Sequence, residues 1–162
     1  FQNLAAEPDL KKMIQQFNRS LYTMGLQPLL VSLMILRVKE GHLEIVNGGM
    51  PGVLIFQKQT NSIQELEAGG PPLGAFVDYP YEQSSLDLAR GDIILSMSDG
   101  FVEKINEKNE ILGFEKCKEI LKANASGDAQ HMIDQLVRAG ETWGENKKAG
   151  DDITFVIIKH TS

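Results

Sequence analysis

The chain has 162 residues, enough for one domain with a sizeable core, and its 42% apolar and 23% charged content is that of a globular protein. A formal charge of −6 with a pI near 5.1 lacks the basic footprint of nucleic-acid binding. The single Cys117 excludes an internal disulfide or a multi-cysteine zinc site, and it fits a reducing, cytoplasmic setting.

Along the chain, Leu10, Met13, Ile14, Phe17 and Leu21 are spaced as one face of a helix over about 8–22. Pro8 suits its first turn and Gly25 its exit. Phe1 in place of Met, directly before this helix, leads us to expect a piece of a longer protein. Strands are predicted at about 30–38, 43–48 and 53–57, the first two joined by a hairpin turn at Lys39-Glu40-Gly41-His42. The apolar run at 29–36 is far below the ~18 residues of a membrane span, so this segment is expected to make no membrane contact. Apolar side chains on both parities of strand 30–38 predict burial on both its faces. Further strands are predicted near 62–66, 81–88, 93–98 and 153–159. Between the last two lie helices at about 113–123, carrying Phe114, Cys117 and Leu121, and at about 128–143, with Met132, Ile133, Leu136, Val137 and Trp143 inward. Strands in a block with helices set apart read as α+β. No internal repeat or interdomain linker breaks residues 1–162, which are expected to form a single domain.

Chemistry concentrates at two strand ends. Asp99 follows the apolar run Ile93–Ser98 and precedes Gly100; Asp151 and Asp152 follow Gly150 and open the run Ile153–Ile158. Oxygen ligands without His or Cys suit a hard cation such as Mg²⁺ or Mn²⁺. Two carboxylates ~4 Å apart repel by about 4 kcal/mol at an effective dielectric of ~20, so convergence calls for a cation, a shared proton or separation. Adjacent residues of an extended strand point to opposite faces, so Asp151 and Asp152 would not both serve one site. Read blandly, Asp99-Gly100 is a strand-ending turn, and the acidic pair is a loop leading into a strand. His42, His131 and His160 show no ligand spacing. Cys117 reads as core, and Arg90-Gly91-Asp92 as a turn before a buried strand.

Ser98-Asp99-Gly100, Glu103, Asn106, Gly113-Phe114 and Gly150-Asp151-Asp152-Ile153-Thr154 together resemble the metal-dependent serine/threonine phosphatases of the 2C type. The similarity is to the bacterial branch containing the stage II sporulation protein E phosphatase and sigma-factor regulators. Asn47-Gly48-Gly49-Met50-Pro51 stands where that branch has Asn-Ala-Gly-His-Pro, with Met50 replacing the histidine. Gly69–Gly74 matches its Gly-x-Pro-Leu-Gly loop, and Gly91-Asp92 its turn before the aspartate strand. Glu103 matches a recurrent family glutamate, whereas Asn106 and Glu107 read as a solvated polar turn.

The resemblance implies an antiparallel β-sandwich flanked by helices, in an α-β-β-α arrangement, with a two-metal Mg²⁺ or Mn²⁺ centre that activates water against phosphoserine or phosphothreonine. It implies Asp99 and Asp151 as metal ligands, with Asp152 as second choice. The family's first metal aspartate lies in a Gly-Asp-x-x-Gly-His-Gly motif absent from these residues. The chain is therefore expected to be the C-terminal part of a catalytic domain, truncated on its N-terminal side and inactive alone. Implied partners are a phosphorylated protein substrate, such as an antagonist of an anti-sigma factor, and an upstream sensory or regulatory domain. Two other readings stay open: a degenerate phosphatase-like module that binds a partner without chemistry, and a structural α+β domain whose aspartates end strands.

Overall fold

The computed structural model describes residues 9–25, 29–67, 69–144 and 152–161. They form an α+β fold of antiparallel sheets and helices in two compact units, one running to Gly52 and resuming over Glu67–Leu88, the other comprising Val53–Leu66 and the chain from Ala89 onward. Among the described residues, no helix is long and apolar enough to cross a membrane.

The first unit opens with helix α1 (Leu10–Thr23). Asp9 is its N-cap, its carboxylate accepting from the Lys11 and Lys12 amides at 2.9 and 3.2 Å; Pro8 lies outside the described residues. Gly25 follows the helix with φ +64°, the left-handed exit its sequence position predicts. Strands β1 (Leu33–Lys39), β2 (His42–Gly48) and β5 (Gln83–Asp87) make a three-stranded sheet in the order β1-β2-β5. The β1–β2 hairpin turns on Glu40 and Gly41, with φ of +50° and +79°, and Lys39 pairs with His42. Two positive φ values in a two-residue loop match the right-handed twist of the flanking strands. Leu10 and Ile14 of α1 pack with Val46, Leu73 and Tyr81, flanked by Leu33 and Ile35. The predicted two-sided burial of β1 is not observed: Leu33–Arg37 are half-buried and Val38 is exposed. β1 is an edge strand, with β2 on one side alone among the described residues, so its apolar side chains are only partly covered.

In the second unit, β3 (Val53–Gln57), β4 (Ser62–Leu66), β6 (Ile93–Met97) and β7 (Phe155–Lys159) form an antiparallel sheet in the order β4-β3-β6-β7. Between β6 and β7 lie α2 (Asp99–Val102), α3 (Gly113–Asn124) and α4 (Ala129–Trp143). Leu54, Phe56, Ile93, Leu95 and Met97 project from one sheet face onto Phe101, Cys117, Leu121, Met132 and Leu136 of the helices. Phe114 and Trp143 pack against the same cluster, as expected of core anchors. Val137, predicted inward, is 41% exposed. The buried stripe of α4 is the narrower Met132–Leu136–Gly140 row, spaced four residues apart, and Val137 lies about 100° of helical rotation from Leu136. Ile55 and Ile94, of opposite parity, are also fully buried, which is why β3 and β6 read as near-continuous apolar runs.

Two polar details lock this unit. Asp92 is buried and accepts from the amides of Lys58 (2.9 Å) and Ala89 (2.8 Å), so Arg90-Gly91-Asp92 is a structural turn ahead of β6. Lys159 donates from Nζ to the carbonyls of Ala125 and Gly127, at 3.0 and 2.6 Å, satisfying acceptors at the end of α3.

Candidate functional site

Asp99 does not close β6. The strand ends at Met97, Ser98 follows in extended conformation (φ −75°, ψ 161°), and Asp99 starts the four-residue helix α2, where it is exposed. The Asp-Gly turn expected here is thus a helical turn, held by the Glu103 amide donating to the Asp99 carbonyl at 2.9 Å. An acidic residue in a first helical turn is favoured by the unpaired amides there.

β7 runs antiparallel to β6, its register set by Ile94↔Ile158 and Met97↔Phe155. The ladder extends one step further: the Ser98 amide donates to the Thr154 carbonyl at 3.1 Å. The Ser98 hydroxyl accepts from the Thr154 amide at 2.9 Å and donates to the Asp152 carbonyl at 3.1 Å. The backbone leading to Asp99 and the Asp152–Thr154 segment are therefore hydrogen-bonded neighbours. Among the described residues, three helices, one more than the two anticipated from the sequence, separate the strands in the chain, and the β6–β7 pairing brings them together.

Asp152 is exposed; Asp151 lies outside the described residues. β7 was predicted from 153 and begins at Phe155, so Asp152 precedes the strand and strand alternation does not assign its face. Among the described residues, no group of three or more His, Cys, Asp or Glu gathers as a cation cage. In kind, exposed carboxylates at adjoining strand ends fit a hard cation. Of the predicted ligands and their second choice, the structure describes Asp99 and Asp152.

Asn106 accepts at Oδ1 from the Lys108 and Glu110 amides, both at 2.9 Å, ordering a turn that the sequence presents as merely solvated. Glu103 is exposed at the end of α2. His42 pairs with Asp87 across β2 and β5 at 2.6 Å, and His131 is exposed. Cys117 is fully buried, and burial pushes its thiol up to about 12, which leaves it protonated and non-nucleophilic at neutral pH.

The motif loops of the first unit meet. Buried Asn47 accepts from the Met50 amide (2.9 Å) and donates to the Met50 carbonyl (2.7 Å), closing the Asn47–Pro51 loop. Gly49, at φ +86°, donates to the Gly70 carbonyl at 2.8 Å, and a Cβ on it would lie 2.9 Å from the Pro72 backbone. Asn18 interrupts the apolar face of α1 and was missed by sequence reading. It accepts from Gly74 and donates to the carbonyls of Phe76 and Val77, tying that helix to the loop.

A profile of the stage II sporulation protein E family matches residues 1–161. The chain belongs to the stage II sporulation protein E family. A relative of this family member is the phosphoserine phosphatase RsbU of Bacillus subtilis (strain 168), 30% identical over 116 residues, which are 69% of this chain. The match spans only about a third (32%) of that protein's length. The SiaA-PP2C domain of Pseudomonas aeruginosa has the same fold, with a TM-score of 0.78 at 16% identity over 92% of this chain and 60% of that one. So does the phosphatase domain of the cell fate determinant SpoIIE from Bacillus subtilis, presoaked in Mn, at TM-score 0.66 and 20% identity over 98% and 69% of the two chains. This stage II sporulation protein E family member is thus related to serine phosphatases of the 2C type.

Proposed function

We propose that residues 1–162 are the C-terminal part of a single 2C-type catalytic domain, and that the complete domain hydrolyses phosphoserine or phosphothreonine on a regulatory protein. The observation that supports this most is the hydrogen-bonded approach of the Asp99 strand end to the Asp152–Thr154 segment, in a chain whose relative is a phosphoserine phosphatase. Asp99 and Asp151 are assigned as ligands of Mg²⁺ or Mn²⁺, with Asp152 as second choice. When bound, such ions let water ionise near neutral pH and offset charge on the phosphoryl oxygens. The chain's own part is to hold carboxylates at one point and keep the two strand ends in register. The substrate class is a phosphorylated antagonist of an anti-sigma factor, and an upstream sensory or regulatory domain would set the activity in the cytoplasm.

The 162 residues alone should bind divalent metal weakly and release no phosphate, because fewer ligands repay the dehydration of a reluctantly dehydrating ion. The test is hydrolysis of a phosphoserine protein by the complete domain across a MnCl₂ titration. Asp99→Asn and Asp151→Asn should each remove most activity, and Asp152→Asn less. A lethal Asp152→Asn beside a near-normal Asp151→Asn would reverse the ligand choice. Full activity in all three would replace the phosphatase reading with that of a binding module.

A further inference from the structure

We infer that the Ser98 hydroxyl is a positioning residue for the acidic centre, clamping the Asp152–Thr154 backbone beside Asp99; this rests on the phosphatase reading above. Ser98 occupies the N-cap of α2, where a serine side chain ordinarily accepts from an amide of the first helical turn. It makes no such bond. Its hydroxyl turns instead to the neighbouring chain, accepting from the Thr154 amide at 2.9 Å and donating to the Asp152 carbonyl at 3.1 Å. With the Ser98 amide on the Thr154 carbonyl at 3.1 Å, one residue makes three bonds to a three-residue segment. They lie beyond the last laddered pair, Met97↔Phe155, where, among the described residues, the Ser98 amide bond is the one backbone bond that continues the ladder and the hydroxyl supplies the other two.

Asp99 is joined to Ser98 by a single peptide bond, and Asp152 contributes one of the clamped carbonyls. The two ends of the clamp are thus the backbones from which both acidic positions project. Ser98→Ala keeps the amide bond to Thr154 and removes the two hydroxyl bonds, releasing the Asp152 carbonyl while leaving the β6–β7 ladder intact. Groups that orient metal ligands without touching the metal typically change affinity or activity 10–100-fold.

The test compares Ser98→Ala, Ser98→Thr and Asp99→Asn in the complete domain, with MnCl₂ as the calorimetric probe and a phosphoserine protein as substrate. Ser98→Ala should speed hydrogen exchange at the Thr154 amide in metal-free protein and raise the manganese Kd by about tenfold or more. It should lower kcat with little change in KM for the phosphoprotein, and Ser98→Thr, which keeps a hydroxyl, should restore both. A hydroxyl needed only for folding would lower Tm and leave the manganese Kd unchanged. A folded Ser98→Ala with manganese Kd and kcat within about twofold of wild type, beside an Asp99→Asn that loses manganese, overturns this inference alone. Indifference of Asp99→Asn to manganese overturns the phosphatase reading as well. Should Ser98→Ala fail to fold, Ser98→Cys, of similar size but a poor hydrogen-bonding partner, carries the same comparison.

Discussion

Asn18→Ala should destabilise the first unit by about 2–3 kcal/mol. Asn18 is 1% exposed, and its amide serves three backbone groups: Gly74 N–H at 2.8 Å, Phe76 C=O at 2.7 Å and Val77 C=O at 3.1 Å. A net hydrogen bond is worth about 1 kcal/mol, so three lost bonds set a scale of about 3 kcal/mol. Phe76 and Val77 are exposed, so their carbonyls regain water and return most of their share of that scale, whereas the Gly74 amide is buried and leaving it unpaired costs about 1–3 kcal/mol. Alanine returns roughly half a kcal/mol of helix propensity. For a chain of this length the balance is a Tm loss of about 4–12 °C. Urea unfolding followed by circular dichroism would measure it as a lower midpoint at unchanged m-value. Asn18→Asp separates the donors from the acceptor: it can still accept from Gly74 but turns a carboxylate toward two carbonyls, and should be no better than alanine. A shift below about 0.5 kcal/mol for Asn18→Ala would refute the three-bond arrangement.

Gly49→Ala should cost about 2–4 kcal/mol, since φ +86° is joined to a Cβ contact 2.9 Å from the Pro72 backbone; Gly25→Ala, at φ +64° with open space around it, should cost about 1 kcal/mol. Paired thermal melts distinguish strain plus collision from strain alone, and equal losses would contradict the loop docking. Cys117 should resist a thiol reagent in the native protein and react fully in denaturant, as its burial and a thiol raised to about 12 require. In Glu44, the Arg37 guanidinium at 2.6 Å, helped by Gln83, holds the carboxyl below its ordinary 4.5. Its contribution is therefore present above that value and lost as pH falls through the folded one, so Glu44→Gln should differ from wild type at neutral pH and converge with it in acid. A constant difference across urea melts from pH 7 to pH 3 would remove the ion pair as the cause.

Much of the fold was legible because its core strands are short apolar runs between polar turns. β3 and β4 fall on the predicted residues, as buried Val53–Phe56 and the polar loop after Gln57 leave little choice of boundary. Burial was read less well. Apolar spacing gave α4 a stripe wide enough to include Val137, while the residues that meet the sheet form a narrower row; edge position, invisible in a single strand's pattern, left β1 half-covered. Asp99 was found from its place after a buried run, but the helical turn it opens was hidden because Asp-Gly equally signals a reverse turn. Ser98 was legible only as part of the Ser-Asp-Gly motif, since its hydroxyl bonds depend on a partner more than fifty positions away. Asn18 did leave one: a polar residue on an otherwise apolar helix face has to find buried partners.

The Met97↔Phe155 pairing also fixes when the backbones at Asp99 and Asp152 can meet. The β3–β4 hairpin, α3 and α4 are local structures, whereas β7 reaches β6 only after both helices have been laid between them. Closing that loop carries an entropic cost that the local elements avoid, so β6–β7 docking belongs to the late steps of folding. Partly folded chains would then hold helices and a hairpin yet leave Ser98 apart from the Asp152–Thr154 segment. Until β7 arrives, the outer edge of β6 is an unpaired apolar strand, the segment most exposed to intermolecular pairing.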